Sequence, residues 1–139
     1  MRRLLGSALA LACVLVLSAC GGPLKYNIPS SRLAPGADAE IVANINEDQN
    51  QSAVEFRAKN LPPPARVNPN GLFYVAWQRK NVDAPWARLG TVKFDEETRL
   101  AELMATVPEQ SFDFEVSVEA NEGAQSPSAD IVFSQRVAK

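Results

Sequence analysis

Few side chains in this sequence carry a group that would be reactive at neutral pH. Histidine is absent, which removes the commonest general base and the commonest transition-metal ligand. Two cysteines occur. Cys13 lies inside an apolar run, whereas Cys20 follows the small residues Ser18 and Ala19. No Gly-x-Ser-x-Gly elbow accompanies it. Glu115 and Glu119 lie on one face of a strand-like segment, where paired carboxylates are expected to be solvated instead of poised for acid–base work. Catalysis is therefore not expected. Asp95-Glu96-Glu97 is the densest acidic cluster and has oxygens suited to Ca²⁺. No regularly spaced acidic loop extends it, so it reads as a solvated hairpin, and neither a metal site nor a cofactor is expected. Among the aromatics, Trp77 reads as core, while Trp86 and Tyr74 form the candidate binding surface, because amphipathic rings favour recognition sites.

The residues that must position Cys20 are those before it. Met1-Arg2-Arg3 is a positive start, and Leu4 to Leu17 is an apolar run of export-signal length, too short to cross a bilayer comfortably. The run ends in Leu17-Ser18-Ala19-Cys20, which resembles the lipobox of bacterial lipoproteins. The resemblance implies that a signal peptidase recognises Leu17, Ser18 and Ala19, that residues 1–19 are removed, and that Cys20 accepts diacylglycerol on sulfur. Several acyl chains on one residue give durable membrane anchoring, since each buried methylene contributes roughly 0.8 kcal/mol and one chain alone is marginal. Gly21-Gly22 follows the cysteine, not the aspartate that retains many Gram-negative lipoproteins at the inner membrane. The resemblance thus implies the cell envelope, and the outer membrane within it. With Cys13 removed, Cys20 has no partner for an intramolecular disulfide, so the mature domain must be held by its core.

Of the 14 Lys and Arg residues, Arg2 and Arg3 leave with the signal, so 12 remain against 16 Asp and Glu, a formal charge of −4. A mildly acidic domain without a basic stripe is a poor match to nucleic acid. The hydrophobic fraction of 46% is inflated by the signal, and the rest is an ordinary globular composition. Residues 20–36 carry Pro23, Pro29 and Pro35 and read as a lipidated tether. Residues 37–139 are long enough for one domain.

Within that domain apolar residues recur at spacing two. Phe112, Phe114, Val116 and Val118 alternate with Asp113, Glu115, Ser117 and Glu119. The same alternation predicts strands through Ile41, Ala43 and Ile45 and through Val54, Phe56 and Ala58. Leu72 to Trp77 is apolar on both faces and predicts a central strand. Segments 87–94, 98–106 and 130–137 complete about seven strands, the last with Ile131, Phe133 and Val137 inward and Val132 outward. Leu61 to Gly71 contains Pro62-Pro63-Pro64 and Pro69, too long and stiff for a hairpin, and predicts a polyproline-like crossing between two sheets. The expected fold is an all-β, antiparallel, Ig-like β-sandwich.

Leu61-Pro62-Pro63-Pro64, the run Gly71 to Trp77, Leu89-Gly90, and Phe114 to Glu119 followed by Ser126-Pro127-Ser128 together resemble the extracytoplasmic C-terminal domain of anti-sigma-K factors over about residues 37–137. The resemblance implies a small sandwich outside the cytoplasm. The cytoplasmic sigma-binding domain and the spanning helix of true anti-sigma factors are not matched, so sequestering a sigma factor does not carry over. The expected protein is a monomeric or weakly associating membrane lipoprotein whose sandwich is a binding or envelope-structural module. Its expected partners are the membrane, through acyl chains on Cys20, and an envelope protein. The alternatives are a regulatory or sensory domain contacting a membrane signalling partner, and a Ca²⁺- or glycan-dependent adhesin.

Overall fold

The computed structural model describes residues 22–139; the expected signal segment 1–19, with Leu17, Ser18 and Ala19, and the acceptor Cys20 lie outside the described residues. Period-two alternation organises the chain from Leu24 onward. The described residues form strands β1 (Leu24–Pro29), β2 (Asp38–Asn46), β3 (Gln51–Lys59), β4 (Phe73–Arg79), β5 (Ala87–Thr91), β6 (Lys93–Asp95), β7 (Leu100–Val107), β8 (Phe112–Glu119) and β9 (Ile131–Val137), with one helical turn α1 (Pro64–Val67). One sheet has the order β1-β2-β3-β7-β6 and the other β5-β4-β8-β9. Every pairing is antiparallel. The protein is an all-β antiparallel sandwich.

The core follows from the pattern. Ala39, Ile41 and Ala43 of β2, Val54, Phe56 and Ala58 of β3, and Phe112, Phe114, Val116 and Val118 of β8 are buried in one cluster. The rings of Phe56 and Phe114 meet across the sheets at 5.4 Å, and Phe56 meets Phe133 edge-on at 5.7 Å. Such ring pairs contribute about 0.5–1.5 kcal/mol beyond their buried area.

The segment read as a tether is, from Leu24 onward, part of the sandwich. β1 runs along β2 with Leu24 opposite Ala43 and Pro29 opposite Asp38; Ile28, Ala34 and Ala37 are buried. The prolines do not forbid this, because β1 is an edge strand and its prolines stand just before it, at its last residue and beyond it, where no ladder donor is lost. The chain then turns to β9, where Ser31 donates from its backbone to the Val132 carbonyl at 2.9 Å and from its hydroxyl to the Ile131 carbonyl at 2.7 Å. Edge β1 is thereby fastened to edge β9 of the other sheet.

The strand count rises above seven for a second reason. Segment 87–94 is two strands, since β5 pairs with β4 in one sheet and β6 with β7 in the other. The chain crosses at Val92, which is buried and donates to the Tyr74 carbonyl at 2.8 Å. Val132, expected to face outward, joins the core, because a bulge between Val116 and Ser117 on the β8–β9 ladder inserts it. The crossing between β3 and β4 passes between the sheets as expected, but Pro64 starts a helical turn there in place of a polyproline arc. Proline suits a first helical position, where its missing N–H has no partner to lose. Gly71 closes the crossing at a point where a Cβ would overlap the Val118 side chain and the Pro64 carbonyl oxygen.

Candidate functional site

β4 is buried on both faces, so something must cover the side of the four-stranded sheet that points away from the core. At the Glu119 end of that face lies the segment 120–130 between β8 and β9. Its fastening is polar. Trp77, fully buried on β4, donates its indole N–H to Ser117 Oγ at 2.8 Å. Ser117 donates to Glu119 Oε1 at 2.6 Å, and the same carboxylate oxygen accepts the backbone N–H of Ser128 at 2.7 Å. Ser128 Oγ donates to the Val118 carbonyl at 2.7 Å, Thr91 to Glu122 at 3.2 Å, and Asn68 to Asp130 at 2.7 Å.

This corrects the expectation that the outer face of β8 is solvated. Glu115, Ser117 and Glu119 are all buried. The signal that would have revealed it is the two-sided apolar run of β4, which requires cover on both faces and hence over its neighbour β8. Ser117 beside Glu119 has the outline of a nucleophile and base. With Ser117 at 0% exposure, no substrate reaches the hydroxyl. The pair orders the fold.

Glu115 stands opposite Trp77 and Ser134. Burial pushes its carboxyl above the usual range; the Arg79 guanidinium opposes the rise and Asp113 adds to it. A carboxyl raised in the folded state contributes stability that is complete below its unfolded pKa and is lost as pH rises through the folded value. Glu115→Gln, which keeps the shape and removes the charge, is therefore expected to unfold at a higher temperature than wild type at pH 7, with the gap closing below about pH 4. Thermal scans at the two pH values check this; a gap that persists in acid contradicts it.

At the next rung, Asp113 accepts from Arg79 at 2.9 Å and from Arg136 at 3.2 Å, and Arg136 also donates to the Lys80 carbonyl at 2.7 Å. The guanidinium of Arg79 lies 4.4 Å from the ring centre of Trp86, a cation–π contact. The two candidate surface aromatics therefore separate. Trp86 is half-buried in the β4–β5 loop. Tyr74 is 1% exposed, donates to the Pro62 carbonyl at 2.5 Å and packs edge-on to Phe94. Its burial, which also drives the phenol pKa far upward, removes it from any binding surface, because β4 directs it between the sheets.

The acidic cluster is a hairpin. Asp95 Oδ1 accepts the backbone N–H groups of Glu97 and Thr98, both at 2.9 Å; these bonds, that from Thr98 first, hold its carboxyl below the usual range. The outward face of the five-stranded sheet is shallow and mixed in charge. Arg57, Lys59 and Lys93 line a depression there together with Asp95 and Glu102, so no ligand of one sign is selected. Among the described residues no group of three or more His, Cys, Asp or Glu is placed to hold a metal ion, and no helix is long and apolar enough to cross a membrane. No family model, curated protein or solved structure matches this chain.

Proposed function

We propose that the protein is a lipid-anchored envelope protein, acylated on Cys20, whose β-sandwich is a binding or envelope-structural module outside the cytoplasm. The observation that carries this reading is Leu17-Ser18-Ala19-Cys20 at the end of an apolar run behind Arg2-Arg3. The architecture supports it in two ways. The sandwich begins at Leu24, so the proposed acyl anchor and the domain are consecutive parts of one chain. Ser117 and Glu119, the pair with a nucleophile's outline among the described residues, are sealed, which favours binding or scaffolding over catalysis.

Cys20→Ser is expected to abolish incorporation of a fatty-acid label and to leave the signal uncleaved, since serine oxygen does not replace the thiol as the acyl-glyceryl acceptor. Metabolic labelling with an alkyne fatty acid and the gel mobility of the product read both effects. Continued labelling of the variant would refute the assignment.

A further inference from the structure

We propose that one end of the sandwich, the end bearing the β4–β5 loop, rests on the lipid headgroups, with Val82 and Trp86 in the interface. The inference deepens the anchoring reading and rests on it. Its starting point is the shortness of the link. Cys20 precedes Leu24, the first residue of β1, by four residues. Four residues fully extended reach at most about 14 Å. Leu24 is opposite Ala43, and β2 continues from there to Asn46 before its turn. Those three further residues carry the sheet about 10 Å beyond Leu24. The link therefore uses most of its reach merely to draw level with the tip of the β2–β3 hairpin, and an acylated Cys20 leaves no gap between that end and the bilayer.

The register fixes which loops share this end. β3 starts at Gln51, Val107 at the end of β7 is opposite Ser52, and Arg79 at the end of β4 is opposite Asp113 near the start of β8. Val137 at the end of β9 is opposite Phe112, and Lys139 pairs with Glu47. The β4–β5 loop is thus at the anchor's end, and Leu72, which donates to the Glu119 carbonyl, is at the other.

The chemistry of that loop suits a bilayer surface. Val82 is 74% exposed, and Trp86 follows it with Arg79 on its ring. An indole is a side chain that settles at headgroup depth, and the exposed aliphatic Val82 in the same loop adds apolar surface at no charge cost. The two arginines and the terminal lysine at this end are already engaged. Arg79 and Arg136 both serve Asp113, and Lys139 serves Glu47. The loop's exposed Lys80 is offset by Asp83 in the same loop and by Asp48 in the β2–β3 turn, so the described residues present no basic cluster at this end to seek anionic lipid. The contact is apolar and follows from proximity.

The test uses the acylated full chain in vesicles of phosphatidylethanolamine and phosphatidylglycerol carrying a headgroup nitroxide lipid. Val82→Cys and Leu72→Cys place a single fluorophore at opposite ends, on side chains 74% and 65% exposed; the acylated Cys20 thiol takes no label. Quenching several-fold stronger at position 82 than at position 72 is the expected result. Equal quenching, or stronger quenching at 72, in protein that co-floats with the vesicles would overturn the orientation while leaving the anchor intact. Failure to co-float would bring down the anchoring reading itself, and the orientation with it.

Discussion

Phe114→Ala is expected to lower the free energy of unfolding by about 3–5 kcal/mol, the usual scale for emptying a core aromatic site. The residue is fully buried, and its ring is one of the points where the two sheets touch. Phe56, on the facing sheet, packs on it at 5.4 Å and on Phe133 at 5.7 Å, so the truncation loosens a three-ring cluster and not one contact. Backbone pairing offers no relief. Phe114 is held between Gln78 and Gln135 on the β4–β8–β9 ladder, and the strand cannot shift to fill the void without exposing Val116 and Val118. For a domain whose whole stability is about 5–15 kcal/mol, the loss is large. Urea denaturation followed by tryptophan emission measures it, since Trp77 is buried in the folded state and exposed on unfolding. A cost below about 1 kcal/mol would mean that the inward face of β8 is wrongly assigned.

Alternation makes β2, β3, β8 and most of β9 legible, because a side chain's face is set by parity whenever one side of a sheet is wet and the other dry. The same logic misleads wherever both sides are dry. Asp113, Glu115, Ser117 and Glu119 have the composition of a solvated face, yet segment 120–130 is fastened to Glu119 at one end of it and Arg79 and Arg136 close on Asp113 at the other, and a sequence pattern does not record where a loop or a long side chain comes to rest. β4 holds the missing clue, since Val75 and Trp77 on its outward side must be covered by something. At the N-terminal end, local breakers conceal a strand. Pro23 and Pro29 bracket Leu24-Lys25-Tyr26-Asn27-Ile28, which alternates as a strand should, and an edge strand tolerates prolines at its limits. Segment 87–94 reads as continuous because a chain that changes sheets keeps its extended backbone; only the buried Val92 and its bond to the Tyr74 carbonyl mark the crossing. For the aromatics, parity places Trp77 and Tyr74 on opposite faces of β4, and burial of both faces is what denies Tyr74 a surface role and leaves Trp86 with one.

Trp77 supports the second large prediction, because two substitutions there separate packing from hydrogen bonding. Trp77→Ala is expected to cost about 3–5 kcal/mol, as for other emptied aromatic sites. Trp77→Phe keeps most of the apolar area and removes only the N–H that serves Ser117 at 2.8 Å; leaving a buried acceptor short of its donor costs about 1–3 kcal/mol. The two variants should also differ in reach. Ser117 still donates to Glu119, and Glu119 still accepts from Ser128, so with phenylalanine in place segment 120–130 stays seated and amide exchange at Ser128 changes little. With alanine, Ser117 and Glu119 lose the packing of the buried ring beside them as well as its N–H, and exchange at Ser128, which Glu119 holds, should accelerate beyond what the fall in global stability explains. Equal costs for both variants would assign the whole effect to the hydrogen bond, and exchange at Ser128 unmoved by alanine would mean that the segment is held by Glu119 and Asp130 alone. The expected order, alanine worse than phenylalanine with Ser128 loosened only by alanine, follows from a face sealed first by apolar contact and then ordered by the Trp77, Ser117 and Glu119 chain.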